Sequence, residues 1–132
     1  MNYLNYAVSL IFSCCVAITG CADNGSDGCV GDQCVCPSGS SCSHTCAAGD
    51  ATCHIQGSPN QSVNVTCNNN AECHVECEAS SSCKVACGGS TDCNVTCPAT
   101  GCTVTGCTEA NCDVTCGLGA VATRVGTTAT CP

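Results

Sequence analysis

The chain has no Trp, one Phe and two Tyr, and all three aromatics (Tyr3, Tyr6, Phe12) stand near its beginning. Past Phe12 there is no large side chain to centre an ordinary apolar core, the place aromatics usually fill. Positive charge is nearly as scarce. Lys84 and Arg124 are the only cations against ten acidic residues, for a formal net charge of −8. That argues against nucleic acid as a partner, because phosphates are neutralised by Lys and Arg. The acidic excess is spread along the chain and reads as a solubility feature. No phosphate-binding glycine loop, carboxylate pair or nucleophile–base spacing is visible, so the chain is read as non-enzymatic, with no cofactor and no metal. No apolar run reaches the ~20 residues needed to cross a bilayer.

What the chain does have is cysteine, 21 in 132 residues. That density in a short chain marks a disulfide scaffold. Small proteins without a sufficient core use disulfides, metals or oligomerisation in its place.

The first segment is an address. MNYLNYAVSLIFSCCVAITGC contains an apolar stretch over residues 7–18 that suits the hydrophobic region of a signal peptide. It ends in Ile18-Thr19-Gly20-Cys21, which resembles the bacterial lipobox: an aliphatic residue, two small residues, then Cys. The resemblance implies that residues 1–20 are a lipoprotein signal peptide and that Cys21 becomes the lipidated N-terminus. The membrane would then be a partner through that lipid, since multiple acyl chains anchor firmly. Residues 1–6 depart from the pattern in carrying no Lys or Arg. Ala22 stands where an Asp retains many lipoproteins at the inner membrane, so the same resemblance implies an outer-membrane place in the cell envelope. The alternative is a secreted chain cut after Ala22. Either route leads to an oxidising compartment, where disulfides persist.

Cysteine arithmetic fits both routes. Beyond Cys21 stand Cys29, Cys34, Cys36, Cys42, Cys46, Cys53, Cys67, Cys73, Cys77, Cys83, Cys87, Cys93, Cys97, Cys102, Cys107, Cys112, Cys116 and Cys131. They are even in number and are the candidate disulfide cysteines.

Residues 21–41 read as a tether followed by a small disulfide-knotted cap. Over residues 42–116 a repeat takes over. Its rows are CSHTC (42–46), CHIQG (53–57), VNVTC (63–67), CHVEC (73–77), CKVAC (83–87), CNVTC (93–97), CTVTG with Cys107 (102–107) and CDVTC (112–116). Row starts lie about ten residues apart, and the gaps have turn compositions. The third position is His44, Ile55, Val65, Val75, Val85, Val95, Val104 or Val114. In a strand, positions 1, 3 and 5 share one face. Cys, Val and Cys therefore point inward, and the outward positions 2 and 4 are polar in every row except at Ala86. Residues 117–132 lack the motif and read as a C-terminal cap pinned by Cys131.

This pattern predicts an all-β fold, a disulfide-braced β-solenoid with one row per coil of about ten residues. The alternative is an antiparallel β-meander of short disulfide-linked strands, which would leave a broad Cys/Val face uncovered. The ten-residue period with paired cysteines resembles the narrow disulfide-bridged solenoids of insect antifreeze proteins over residues 42–116. Positions 1 and 5 of an extended row lie ~13 Å apart, whereas bridged Cα atoms lie within ~7 Å. Bonds then run within a row only if the chain bends sharply, and otherwise between rows, as from Cys77 to Cys83. Gly57 and Val63 each replace a row cysteine, which suggests Cys53 and Cys67 as partners for each other.

Three chemical readings compete with this scaffold. Metal sequestration by thiols is the first alternative, but Cys-x-Cys occurs once, at Cys34 and Cys36, and short Cys-x-x-Cys pairs of zinc type are absent from the repeat. The outward His54 and His74, two rows apart, are expected roughly 10 Å from each other, too far to share an ion. Ice binding is the second alternative. Thr45, Thr66, Thr96, Thr105 and Thr115 hold the fourth position, but Gln56, Glu76 and Ala86 interrupt them. Catalysis is the weakest, because Cys73 and His74, adjacent in a strand, face opposite ways. The expected role is structural or adhesive, with a protein or polysaccharide as partner. Asn64-Val-Thr and Asn94-Val-Thr match the glycosylation sequon.

Overall fold

The computed structural model describes residues 28–30, 33–39, 41–46, 52–68 and 72–132. The signal segment, the lipobox and Cys21 lie outside them. Among the described residues twelve strands follow one another: β1 (Gly28–Val30), β2 (Gln33–Val35), β3 (Cys42–Cys46), β4 (Thr52–Gln56), β5 (Ser62–Cys67), β6 (Glu72–Glu76), β7 (Ser82–Ala86), β8 (Asp92–Thr96), β9 (Cys102–Thr105), β10 (Cys112–Thr115), β11 (Thr123–Val125) and β12 (Thr128–Cys131). They form two sheets, ordered β1-β2-β4-β6-β8-β10 and β11-β12-β9-β7-β5-β3.

The architecture is a β-solenoid, but its coil differs from the expected one. Consecutive rows do not pair. Each strand pairs in parallel with the row after next: Cys53 aligns with Cys73, and Val65 with Val85. A coil therefore holds two rows and about twenty residues. A five-residue row is extended and runs ~16 Å. The residues between rows can only turn the chain over to the opposite sheet, so two strands and two turns are needed to return to the start. Stacked at ~4.8 Å, the six strands of each sheet make a stack of roughly 24 Å. Odd rows build one face and even rows the other.

Between the sheets lies a thin core of Cys, Val and one Ile. Ile55, Val63, Val65, Val75, Val85, Val95 and Val104 are buried along with nearly every described cysteine, while the residues alternating with them are more exposed. The alternation of inward and outward residues thus follows the period-2 pattern. His44, also at an inward position, is partly buried with its ring 3.8 Å from Cys34 Sγ.

Eight disulfides have both partners among the described residues, and they line the two edges where the chain turns. One edge carries Cys46–Cys53, Cys67–Cys73, Cys87–Cys93 and Cys107–Cys112. The other carries Cys36–Cys42, Cys77–Cys83, Cys97–Cys102 and Cys116–Cys131. Seven of them join the last cysteine of one strand region to the first of the next. The expected bond between Cys53 and Cys67 is not formed. Cys53 bonds Cys46, and Cys67 bonds Cys73, at Cα separations of 5.9 and 6.1 Å. Gly57 and Val63 are instead the two ends of one missing rung on the second edge. Cysteines are lost in pairs, but the pair lost is 57 with 63.

Gln61 sits beside that missing rung, fully buried. Its side-chain amide donates to the Pro37 carbonyl, and its backbone carbonyl accepts from Ser81 N at 2.8 Å and Ser81 Oγ at 2.8 Å. One residue, through side chain and backbone together, thus ties three successive coils. Both ends of the stack change direction. β1 and β2 form an antiparallel hairpin, and β12 lies antiparallel on β9 with β11 outside it. Arg124 of β11 reaches over the end, donating from Nη2 to the Cys112 carbonyl at 3.1 Å.

Candidate functional site

With its interior filled by sulfur and methyl groups, the solenoid presents two flat outer sheet faces to other molecules. Two rows per coil decide what each face carries. On the β4-β6-β8 face, His54, His74 and Asn94 are register partners in one column. Thr52, Glu72 and Asp92 form the column on one side, and Gln56, Glu76 and Thr96 the column on the other. On the β3-β5-β7-β9-β12 face, Ser43, Asn64, Lys84, Thr103 and Thr130 align beside Thr45, Thr66, Ala86, Thr105 and Thr128.

The first face is acidic and carries the two outward histidines. The expected separation of roughly 10 Å is corrected here. Because alternate rows are neighbours, the rings of His54 and His74 stack with centroids 6.0 Å apart and planes 24° off parallel. His54 Nε2 lies 3.3 Å from Glu76 Oε1, with 39% and 47% of the two side chains exposed.

The second face is neutral apart from Lys84. Ala86 leaves a notch in the threonine column, part of an open depression of about 440 Å³ lined by Asn64, Lys84, Val85, Ala86, Thr103 and Thr105. The threonines that looked interrupted in chain order are sorted by the fold. Gln56 and Glu76 belong to the acidic face, so only Ala86 breaks the column from Thr45 to Thr128. Thr128 and Thr130 had no motif to announce them. They join because β12 folds back in register on β9. Of the two sequons, Asn64 is exposed, and Asn94 is half-buried with its amide donating to Asp92 Oδ1 at 3.3 Å.

Among the described residues the pairing closes off thiol chemistry. Four clusters there bring ligand atoms close enough for an ion: His44/Cys46/Cys53, Cys46/Cys67/Cys73, Cys67/Cys87/Cys93 and Cys97/Cys102/Cys131. Each contains both halves of a disulfide, and a disulfide offers no thiolate to a metal. Cys34 is likewise disulfide-bonded, while nothing is described of the Cys29 side chain. Lipidation at Cys21 falls outside the described residues.

Three hydrophobic residues, Leu118, Val121 and Val125, stand exposed near the C-terminal cap. Among the described residues no helix is long and apolar enough to cross a membrane.

These features define the class: a disulfide-braced, two-sheet β-solenoid with one acidic and one hydroxyl-rich face. No protein-family model, curated protein or solved structure matches the chain.

Proposed function

We propose that this protein is a non-enzymatic module of the cell envelope, a rigid rod anchored through lipid on Cys21 that presents its two flat faces to a protein or polysaccharide partner. One observation carries the reading. Disulfides staple both edges of the stack, so the shape is held by covalent bonds rather than by a core. Such a body resists proteases and keeps its surface pattern outside the cell, where disulfides form and last. The address rests on Ile18-Thr19-Gly20-Cys21, the segment that resembles a lipobox.

The test is fractionation of cells expressing the full chain. Wild type should sediment with membranes and carry acyl chains on its N-terminal peptide, and Cys21→Ala should lose the acylation. A wild-type chain recovered soluble, with an unmodified N-terminus after Ala22, would replace the anchored reading by a secreted one.

A second reading, ordered-water or ice binding, is favoured by the threonine column of the hydroxyl-rich face. Thr45 and Thr66, and Thr105 and Thr128, are held on adjacent strands at a ~4.8 Å repeat, with Ala86 as the break between the two pairs. If this face orders water, the oxidised protein inhibits ice recrystallisation, and Thr105→Lys lowers that activity. Equal activity in the two proteins would remove the reading.

A further inference from the structure

We propose that His54, His74 and Glu76 form a surface site for one divalent first-row transition ion that prefers imidazole nitrogen, Cu²⁺ or Zn²⁺, on the acidic face. The site is separate from the cysteines and depends on neither the anchoring nor the rod reading.

Three observations carry it. The first is register. His54 and His74 are Cα partners on adjacent parallel strands, and Glu76 lies diagonally across from His54 beside Gln56. All three point outward from a backbone fixed on both sides by the hydrogen bonds of the sheet. The second is distance. An ion with bonds of 2.0–2.1 Å in tetrahedral geometry holds its ligand atoms roughly 3.4 Å apart. His54 Nε2 and Glu76 Oε1 already stand 3.3 Å apart. The His74 ring is stacked beside His54 at 6.0 Å between centroids. Among the described residues no hydrogen bond holds it there, so rotation between side-chain wells brings one of its nitrogens toward the pair.

The third is charge. Glu72, Asp92 and Asp113 lie on the same face as Glu76, and the described residues of this face hold no Lys or Arg. Lys84 is on the opposite sheet and Arg124 at the end of the stack. The local field therefore favours a cation. Two imidazoles and a carboxylate suit copper, zinc or nickel. Oxygen-seeking Ca²⁺ and Mg²⁺ need more oxygen ligands than this site supplies. A fourth position stays open to water or to a group of a partner molecule.

The experiment is titration of the oxidised full chain with Cu²⁺ and with Zn²⁺, followed by calorimetry and by NMR of the histidine ring protons. One ion per chain is expected, with Cu²⁺ bound more tightly than Zn²⁺. The signals of His54 and His74 should move or broaden, while those of His44, on the other sheet against Cys34, should not. His54→Ala and His74→Ala should each weaken binding about tenfold or more, the scale on which even a supporting partner of a metal ligand is felt. Glu76→Gln should weaken it by less, and His44→Ala should leave it unchanged. The His54, His74 and Glu76 side chains lie on the outer face away from the disulfide rungs, and a retained thermal transition confirms the fold of every variant. Undiminished affinity in either His54→Ala or His74→Ala overturns the proposal. So does competition by Ca²⁺ at equal concentration, or binding that appears only after reduction.

Discussion

Gly106 lets the seventh row end one position late. Its φ is +68°, and a Cβ there would lie 2.7 Å from the Gly88 backbone nitrogen. Both facts demand glycine: the left-handed conformation and the close approach of the neighbouring coil. Gly106→Ala should cost about 1–3 kcal/mol, read as a lower denaturant midpoint of the oxidised protein. Gly57 is a different case. A Cβ there would meet Ser80 Oγ at 2.1 Å, a hydroxyl that is buried with no partner among the described residues. That nearest obstacle is a side-chain atom and is removable; behind it stand Val63 Cγ2 at 3.0 Å and the Glu76 backbone oxygen at 3.2 Å, which must give by a few tenths of an ångström. Ile55 is the single larger aliphatic in a column of valines, fully buried. Ile55→Val should therefore cost about 0.5–1.5 kcal/mol, in the same measurement.

A missing rung and an exposed end decide how the strands and turns hold. Gly57 and Val63 occupy the sites where the second edge would carry one more disulfide, between Cys36–Cys42 and Cys77–Cys83. Buried Gln61 compensates with hydrogen bonds to the coils on either side. The triple variant Gly57→Cys, Val63→Cys, Ser80→Ala should close the rung. Mass spectrometry should find the new bond, and closure of so short a loop should stabilise by about 2–3 kcal/mol. An open pair of thiols would show that the turn at 57–63 differs from its neighbours. At the other end, β10 is the edge of its sheet, and such edges invite further pairing. Arg124 covers it by bonding the Cys112 carbonyl. Arg124→Ala should cost about 1 kcal/mol and speed amide exchange in β10 and β11 while leaving β6 and β8 protected.

Over the whole molecule, covalent bonds stand where a core would. Each disulfide contributes ~2–4 kcal/mol, and a domain's total margin is about 5–15 kcal/mol. Losing all eight exceeds that margin. The reduced and alkylated chain should therefore show no cooperative thermal transition by circular dichroism, where the oxidised protein shows one. Coincident melting curves would mean that the thin Val/Cys core suffices, against the burial it provides. His74, Lys84 and Thr105 belong to no rung, so substitutions there should leave the disulfide brace intact.

The sequence determined the inward and outward sides of every row, because strand alternation is local and Cys-x-Val-x-Cys spells it out. It also made the solenoid class legible, since small inward residues suit a narrow interior. Pairwise loss of cysteine was visible too. Only the tertiary structure decided which rows are neighbours. A ten-residue period is compatible with one row per coil or two, and the choice rests on how the chain reverses at each turn, which no single row encodes. That choice moved Cys53 from Cys67 to Cys46, brought His74 beside His54 and aligned Thr45, Thr66, Thr105 and Thr128 in one column. The C-terminal strands, which lack the motif, were placed by pairing with β9. Register between distant segments is a long-range property: it is fixed by backbone hydrogen bonds and closure of the coil, and it leaves no mark in residue spacing alone.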